Sequence, residues 1–499
     1  MPRPIARQRS TAKSGLDLGA PAAERDIKKG LADCFIESDA FDRVQRGDKL
    51  VVVGNRGVGK SAIFQVLAQR ERANGTFVIE LTPEDYSYQF LSRAMLPERS
   101  GSWAKMGAYA VAWKYVIYVL VMQELTQKGA RKKEAAAIYR FVRDHCVGGA
   151  TSKLSTLVSY LKRMEEIKIG NYGASLRVRE LEKLYKLAEI EPLLPSLCSI
   201  LEDQRVVVLV DELDRGWDES EDAKAFVAGL FQACMSINRL SDNLSVYISL
   251  RQELYDNIPA LYEDAQKYRD VIEVISWTKP RLLQLAAARI RYALGGLELQ
   301  TDQCCWERVF GKRSPQSRVS SFDYVVDRTL YRPREIIQLA AHILDSAFDR
   351  RTGIPVDAAI IAGVEPFYSE ERARDIAAEY RFQHPGLLSL FEAFRGSSGY
   401  FDYEDLVLSC LEIATETVLS GEASGWVRDQ DPELMMEILW RVGFLQAQMA
   451  GKNGAQPAEA FLGHHQVSHL NLRAAQRFRI HPMFWGYLDL ARTTDPRSR

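Results

Sequence analysis

Residues 54–61 read Gly54-Asn55-Arg56-Gly57-Val58-Gly59-Lys60-Ser61, which fits G-x-x-x-x-G-K-[ST] at every fixed position. Each residue type there has a chemical reason. Glycines let backbone N–H groups turn inward and approach phosphate oxygens without a Cβ in the way. A helix starting at the lysine aims its positive end at the same point. Lys60 would bridge the outer phosphates, and the Ser61 hydroxyl would ligate Mg2+. Nucleotide contact is therefore expected from Gly54, Asn55, Arg56, Gly57, Val58, Gly59, Lys60 and Ser61.

A second carboxylate-bearing segment supplies what hydrolysis needs. Val206-Val-Val-Leu-Val210 runs straight into Asp211-Glu212. Asp211 would hold Mg2+ through water, and Glu212 would polarise the attacking water. Alone, an apolar run before two acids says little; behind a phosphate loop it completes a site. Arg251 ends another apolar run, 244–250, where a cation can sense the γ-phosphate. Tyr331-Arg332-Pro333-Arg334-Glu335 opens a helix, with proline suited to its first turn. Arg334 or Arg332 could reach the phosphates from a lid, Arg334 with a catalytic part and Arg332 as a nucleotide contact. No N-K-x-D tetrad for guanine occurs, which favours ATP.

These residues need rigid elements behind them. Lys49–Val53, Phe77–Leu81, Arg205–Val210, Leu244–Leu250 and Val271–Ile275 are short, β-branched or continuously apolar runs. Such runs form parallel strands covered on both faces. Helical patterns alternate with them, which predicts an α/β fold with a doubly wound parallel sheet. The long stretch 85–200 carries helical patterns at 108–125, 134–146, 151–165 and 176–201, so it is expected to be a helical insertion. From Lys279 only helices are expected, at 280–294, 302–310, 332–348 and 369–381. The final block has helices at 386–395, 403–420 and 432–442. A hairpin follows, from Phe444–Met449 through a 451–454 loop to Arg477–Ile480, in the order of a winged helix.

The expected organisation is a disordered arm over 1–22, an ATPase core over 23–278 and a helical lid over 279–383. A winged-helix-like domain over 384–490 and a tail over 491–499 complete it. The arm is basic, with seven basic against three acidic side chains in residues 1–30. Among residues 473–499, Arg473, Arg477, Arg479, Arg492, Arg497 and Arg499 face only Asp489 and Asp495. Nucleic-acid contact through 384–499 is one possibility, and a protein-interaction role is the other.

Composition narrows the classes. The 499 residues are 46% hydrophobic and 26% charged, with 65 basic and 66 acidic side chains and a net charge of −1. This is a globular composition with no global field for nucleic acid. Seven cysteines without a C-x-x-C pair suit reduced thiols in a cytoplasmic protein. Ala108–Met122 is apolar but short and holds Lys114, so it is expected to be a buried helix and not a membrane span. His464, His465 and His469 lack accompanying thiols or carboxylates and are expected to be a polar loop.

Together these motifs resemble the AAA+/STAND-like superfamily of P-loop ATPases. They look most similar to a bacterial group first noted in cyanobacterial genomes and distantly similar to origin-recognition-type ATPases. The phosphate loop and residues 206–214 carry that resemblance. Softer similarities lie at 35–42, 277–290, 332–340, 380–388 and 480–484, so it spans 30–490. It implies ATP binding and hydrolysis coupled to a conformational switch, in a homo-oligomer or with a partner effector. Many such ATPases serve prokaryotic antiviral defence or act on DNA. Three functions are consistent with the residues: a switch ATPase, a DNA-binding loader or regulator ATPase, and a small-molecule kinase.

Overall fold

Val51-Val-Val-Gly54 and Val206–Val210 are buried at every position. A strand that is apolar on both faces has to be covered on both, which places it centrally in a parallel sheet. The computed structural model shows this. It describes residues 16–82, 102–127, 135–145, 187–214, 217, 219–258, 268–296, 301–316, 319–416, 419–450, 457–467 and 469–490. The expected arm over 1–15, the 151–165 helix, the start of the 176–201 helix and the 491–499 tail lie outside those residues. The chain forms two units. One is Glu37–Ser276; the other joins the segment before Glu37 to the chain from Trp277.

The Glu37–Ser276 unit holds β1 (Val51–Gly54), β2 (Phe77–Leu81), β3 (Val206–Val210), β4 (Leu244–Arg251) and β5 (Ile272–Val274). Among the described residues they make one sheet in the order β2-β3-β4-β1-β5, every neighbouring pair parallel. The five expected strands are all present. On one face the Ser102–Gln127 helix packs against the Glu221–Ile237 helix, burying Tyr109, Trp113, Val116 and Phe226 in the core. The apolar run with Lys114 is thus a core helix; among the described residues no helix is long and apolar enough to cross a membrane. Asp39–Gln45 is capped by Ser38, whose hydroxyl accepts from the Phe41 N–H at 3.2 Å, and Arg43 clasps Glu273 of β5 at 2.8 and 2.6 Å.

The other unit is built on one apolar cluster running from Leu18 to Leu490. Its helices include Lys279–Ala293, Asp302–Phe310, Ser321–Val326, Pro333–Asp349 and Ala358–Glu379. Four further strands form its sheet: β6 (Tyr400–Asp402), β7 (Leu445–Ala450), β8 (Pro457–Gly463) and β9 (Ala475–Ile480), in the order β6-β9-β7-β8. Three expectations differ from this unit. Residues 16–36 belong here, not to a disordered arm or to the ATPase core. Arg289, buried in its helix, pairs with Asp26 at 2.6 Å and donates to the Leu18 carbonyl at 2.8 Å, which fixes that segment in place. The hairpin from β7 goes to β8, and β9 then inserts between β6 and β7; β6 is only three residues long, and β8 opens on a proline and lacks β-branched residues. The expected 403–420 helix ends at Thr415, and a separate helix, Gly421–Val427, capped by Ser420, begins beyond it. His465 lies in the turn after β8, as the loop expectation has it, but both its ring nitrogens are buried without hydrogen-bond partners, and burial pushes it down to about 3.

Candidate nucleotide site

Parallel pairing puts all strand C-termini at one edge, where ligands of such sheets sit. β1 registers with β4 so that Gly54 lies opposite Arg251. β4 in turn separates β1 from β3, and the Asp211 N–H continues the β2–β3 ladder by donating to Leu81 at 3.0 Å. Residues 54, 211 and 251 therefore share one edge though they come from three distant segments.

The loop itself has the form the spacing predicts. Gly57 and Gly59 have φ of 80° and 103°, which a side chain would strain. A Cβ on Gly59 would meet no atom within 4 Å, so the loop faces open space there. Gly54 is different: a Cβ there would lie 2.9 Å from Val58 and 3.2 Å from the Ile275 carbonyl. The Lys60–Ala73 helix starts at Gly59 with no side-chain cap, which leaves its first N–H groups for an anion. Val58 is buried beneath the loop, while Arg56 is exposed and Asn55 half-buried.

Lys60 donates to the Gly54 and Asn55 carbonyls at 2.7 and 3.1 Å. Burial pushes it down to about 8, opposed by the carboxylates of Glu253, Asp211 and Asp214 and assisted by Arg251. Glu253 and Asp214 are members of the site that the motif reading missed. Asp214 pairs with Arg251. Glu253 opens the short Gln252–Asp256 helix directly after Arg251. A signal for both was present: one acid follows each strand end two or three residues past the residue singled out.

Glu212 stands in the left-handed region at φ 57°. Such a backbone costs a non-glycine residue on the order of 1 kcal/mol and tends to persist where function needs it. Its N–H donates to the Asp211 carboxylate at 2.9 Å, and buried Leu213 anchors the turn. One Asp211 oxygen is thereby oriented and the other is left for a ligand. Among the described residues no three His, Cys, Asp or Glu side chains form a cage for a metal. The donor set here, one hydroxyl and one carboxylate, fits Mg2+ held largely by water and phosphate oxygens.

Arg332 and Arg334 lie in the other unit. Arg332 is buried and pairs with Glu379 at 2.8 Å and Glu335 at 3.7 Å. Burial would lower it, and those two carboxylates raise it above its ordinary value. Its charge is committed inside its own unit. Arg334 is half-buried on the Pro333–Asp349 helix, and its Nε donates to the Pro21 carbonyl at 3.2 Å. The C-terminal arginines among the described residues are engaged too. Arg473 pairs with Glu433, Arg477 lies 3.7 Å from Asp402, and Arg479 donates to Gln446 at 2.7 Å.

Residues 280–377 match the family described as the FunZ-associated C-terminal helical domain. The chain is 26% identical over 511 aligned positions to the "Putative transposon gamma-delta 80.3 kDa protein" of Escherichia coli (strain K12). That match covers 97% of this chain and 68% of the relative. Among solved structures, Drosophila ORC bound to DNA is similar at TM-score 0.31 and 12% identity, over 97% of this chain and 96% of that one. The Aeropyrum pernix ORC2 protein, in its ADPNP–ADP complexes, is similar at TM-score 0.32 and 10% identity, over 93% of each chain. Scores this low leave the functional argument to the chain's own residues: a phosphate loop, a strand-end acid pair and a strand-end arginine on one edge of a five-stranded parallel sheet.

Proposed function

We propose that the chain binds ATP with Mg2+ and hydrolyses it as an AAA+-type switch. It would work in a homo-oligomer or with a partner effector, in a prokaryotic defence or regulatory setting. The observation that carries this reading is the shared edge of β1, β3 and β4, with Lys60 among Asp211, Asp214, Arg251 and Glu253. Residues 54–61 hold the phosphates by backbone N–H groups and the Lys60 ammonium. Ser61 and, through water, Asp211 hold Mg2+, which when bound neutralises charge developing on the phosphate oxygens. Glu212 accepts the proton of the attacking water. Arg251 leaves Asp214 for the γ-phosphate. Of the two lid candidates, Arg332 already serves two carboxylates within its own unit, which counts against it.

The test separates binding from turnover. Lys60→Ala should abolish ATP binding in a folded protein. Glu212→Gln should bind ATP and stop hydrolysis, since an amide cannot take the proton. Unchanged ATP affinity in the first variant, or wild-type turnover in the second, overturns the reading.

A second reading, a DNA-binding regulator, rests on the strand order. β9 lies between β6 and β7 after intervening helices, as in a winged helix. The transposon origin of the Escherichia coli relative suits such a role. The helix before β7, Pro432–Arg441, however carries Glu433 and Glu437, and its last residue, Arg441, pairs with Glu437. Filter binding with duplex DNA at two salt concentrations decides it, because phosphate contacts give a steep salt dependence.

A further inference from the structure

The Ser102–Gln127 and Glu221–Ile237 helices come into close contact at Gly229. A Cβ there would lie 2.6 Å from Tyr109 Cβ, 2.8 Å from the Ala110 nitrogen and 2.9 Å from the Met106 carbonyl. Such contact cannot continue along both helices once side chains return. Past Gly229, Gln232, Met235 and Ser236 follow on one helical face, with Arg239 one turn on. A cavity of about 440 Å³ opens between the helices there. It is within the size range of small-molecule sites.

The cavity's walls are of two kinds. Met106 and Met235 are buried apolar surface on opposite walls, while Lys114 and Arg239 bring cationic heads to the same space. Lys114 is the one charge in an otherwise apolar run and is half-buried, whereas Arg239 is exposed. Among the described residues neither has a carboxylate partner, and no acid lines the cavity. A charge part-withdrawn from water without a counter-charge is costly, so Lys114 complements a ligand that supplies the missing anion, and the exposed Arg239 adds a second cation to the same lining. Gln232 and Ser236 add hydrogen-bonding groups to the same wall.

We propose that this cavity binds a small organic anion, its negative head between Lys114 and Arg239 and its apolar body on Met106 and Met235. The site is independent of the nucleotide reading. Anilinonaphthalene sulfonate is a suitable probe, with uncharged N-phenylnaphthylamine as its control. The full chain should bind the sulfonate saturably at one equivalent and the uncharged parent at least about tenfold more weakly, the worth of one charge-assisted contact. Lys114→Met and Arg239→Met should each weaken the sulfonate by about tenfold. Gly107→Leu should abolish it by filling the cavity, because a Cβ on Gly107 meets nothing within 4 Å. Melting curves establish that each variant is folded, and the two-probe comparison on the unaltered chain needs no variant. Equal binding of both probes, no saturable binding, or wild-type affinity in the folded charge variants overturns the proposal.

Discussion

Two glycines on facing helices should respond in opposite directions to the same substitution. In a helix interior alanine is favoured over glycine by about 1 kcal/mol. Gly107→Ala adds a methyl group where no atom lies within 4 Å, so it should realise that gain. Gly229→Ala realises it too, but its Cβ would stand 2.6 to 2.9 Å from three atoms, two of them backbone. Backbone cannot rotate away, so the helices must separate and loosen the packing around Trp113 and Phe226, whose rings lie 4.9 Å apart. Overpacking of this kind costs about 1–3 kcal/mol. The net expectation is a loss of up to about 2 kcal/mol for Gly229→Ala against a gain of up to about 1 kcal/mol for Gly107→Ala. Urea unfolding gives both values, and amide exchange along Glu221–Ile237 localises the effect. Stabilisation by Gly229→Ala, or equal effects at both sites, would refute the packing argument.

Further outcomes follow from the charges. Lys60 titrates at about 8, and ATP favours its protonated form, so ATP affinity should fall as pH rises. Between pH 7 and pH 9 the protonated fraction drops about tenfold, and titration with a non-hydrolysable analogue should show a loss of that size. Arg332→Ala leaves Glu379 and Glu335 buried without their cation and should cost about 3–5 kcal/mol of that unit's stability. Arg334→Ala should keep the fold and ATP binding while scattering profiles of the ATP and ADP forms of a Glu212→Gln background become alike. Asp214→Ala releases Arg251 and should raise the preference for ATP over ADP by about threefold to tenfold, read from competition binding.

The amino-acid sequence determined what depends on neighbours along the chain. Glycine spacing around Lys60 sets a loop that only certain backbones can form, and unbroken valine runs at 51–53 and 206–208 specify strands covered on both faces. The helical character of 108–122 is local in the same way. Tertiary structure decided which distant charges meet. Asp214 and Glu253 reach Lys60 only because β4 lies between β3 and β1, an order no single segment encodes. Arg332 looks like a sensor beside its proline, yet Glu379, 47 residues on, claims it. Glu365, Arg372 and Glu379 make a buried charged stripe that hides the apolar pattern of the Ala358–Glu379 helix, so only its second half was legible. Asp26 likewise draws residues 16–36 to Arg289. A buried charge is tolerable only beside its counter-charge, and that partner is fixed by packing in three dimensions, not by position in the chain.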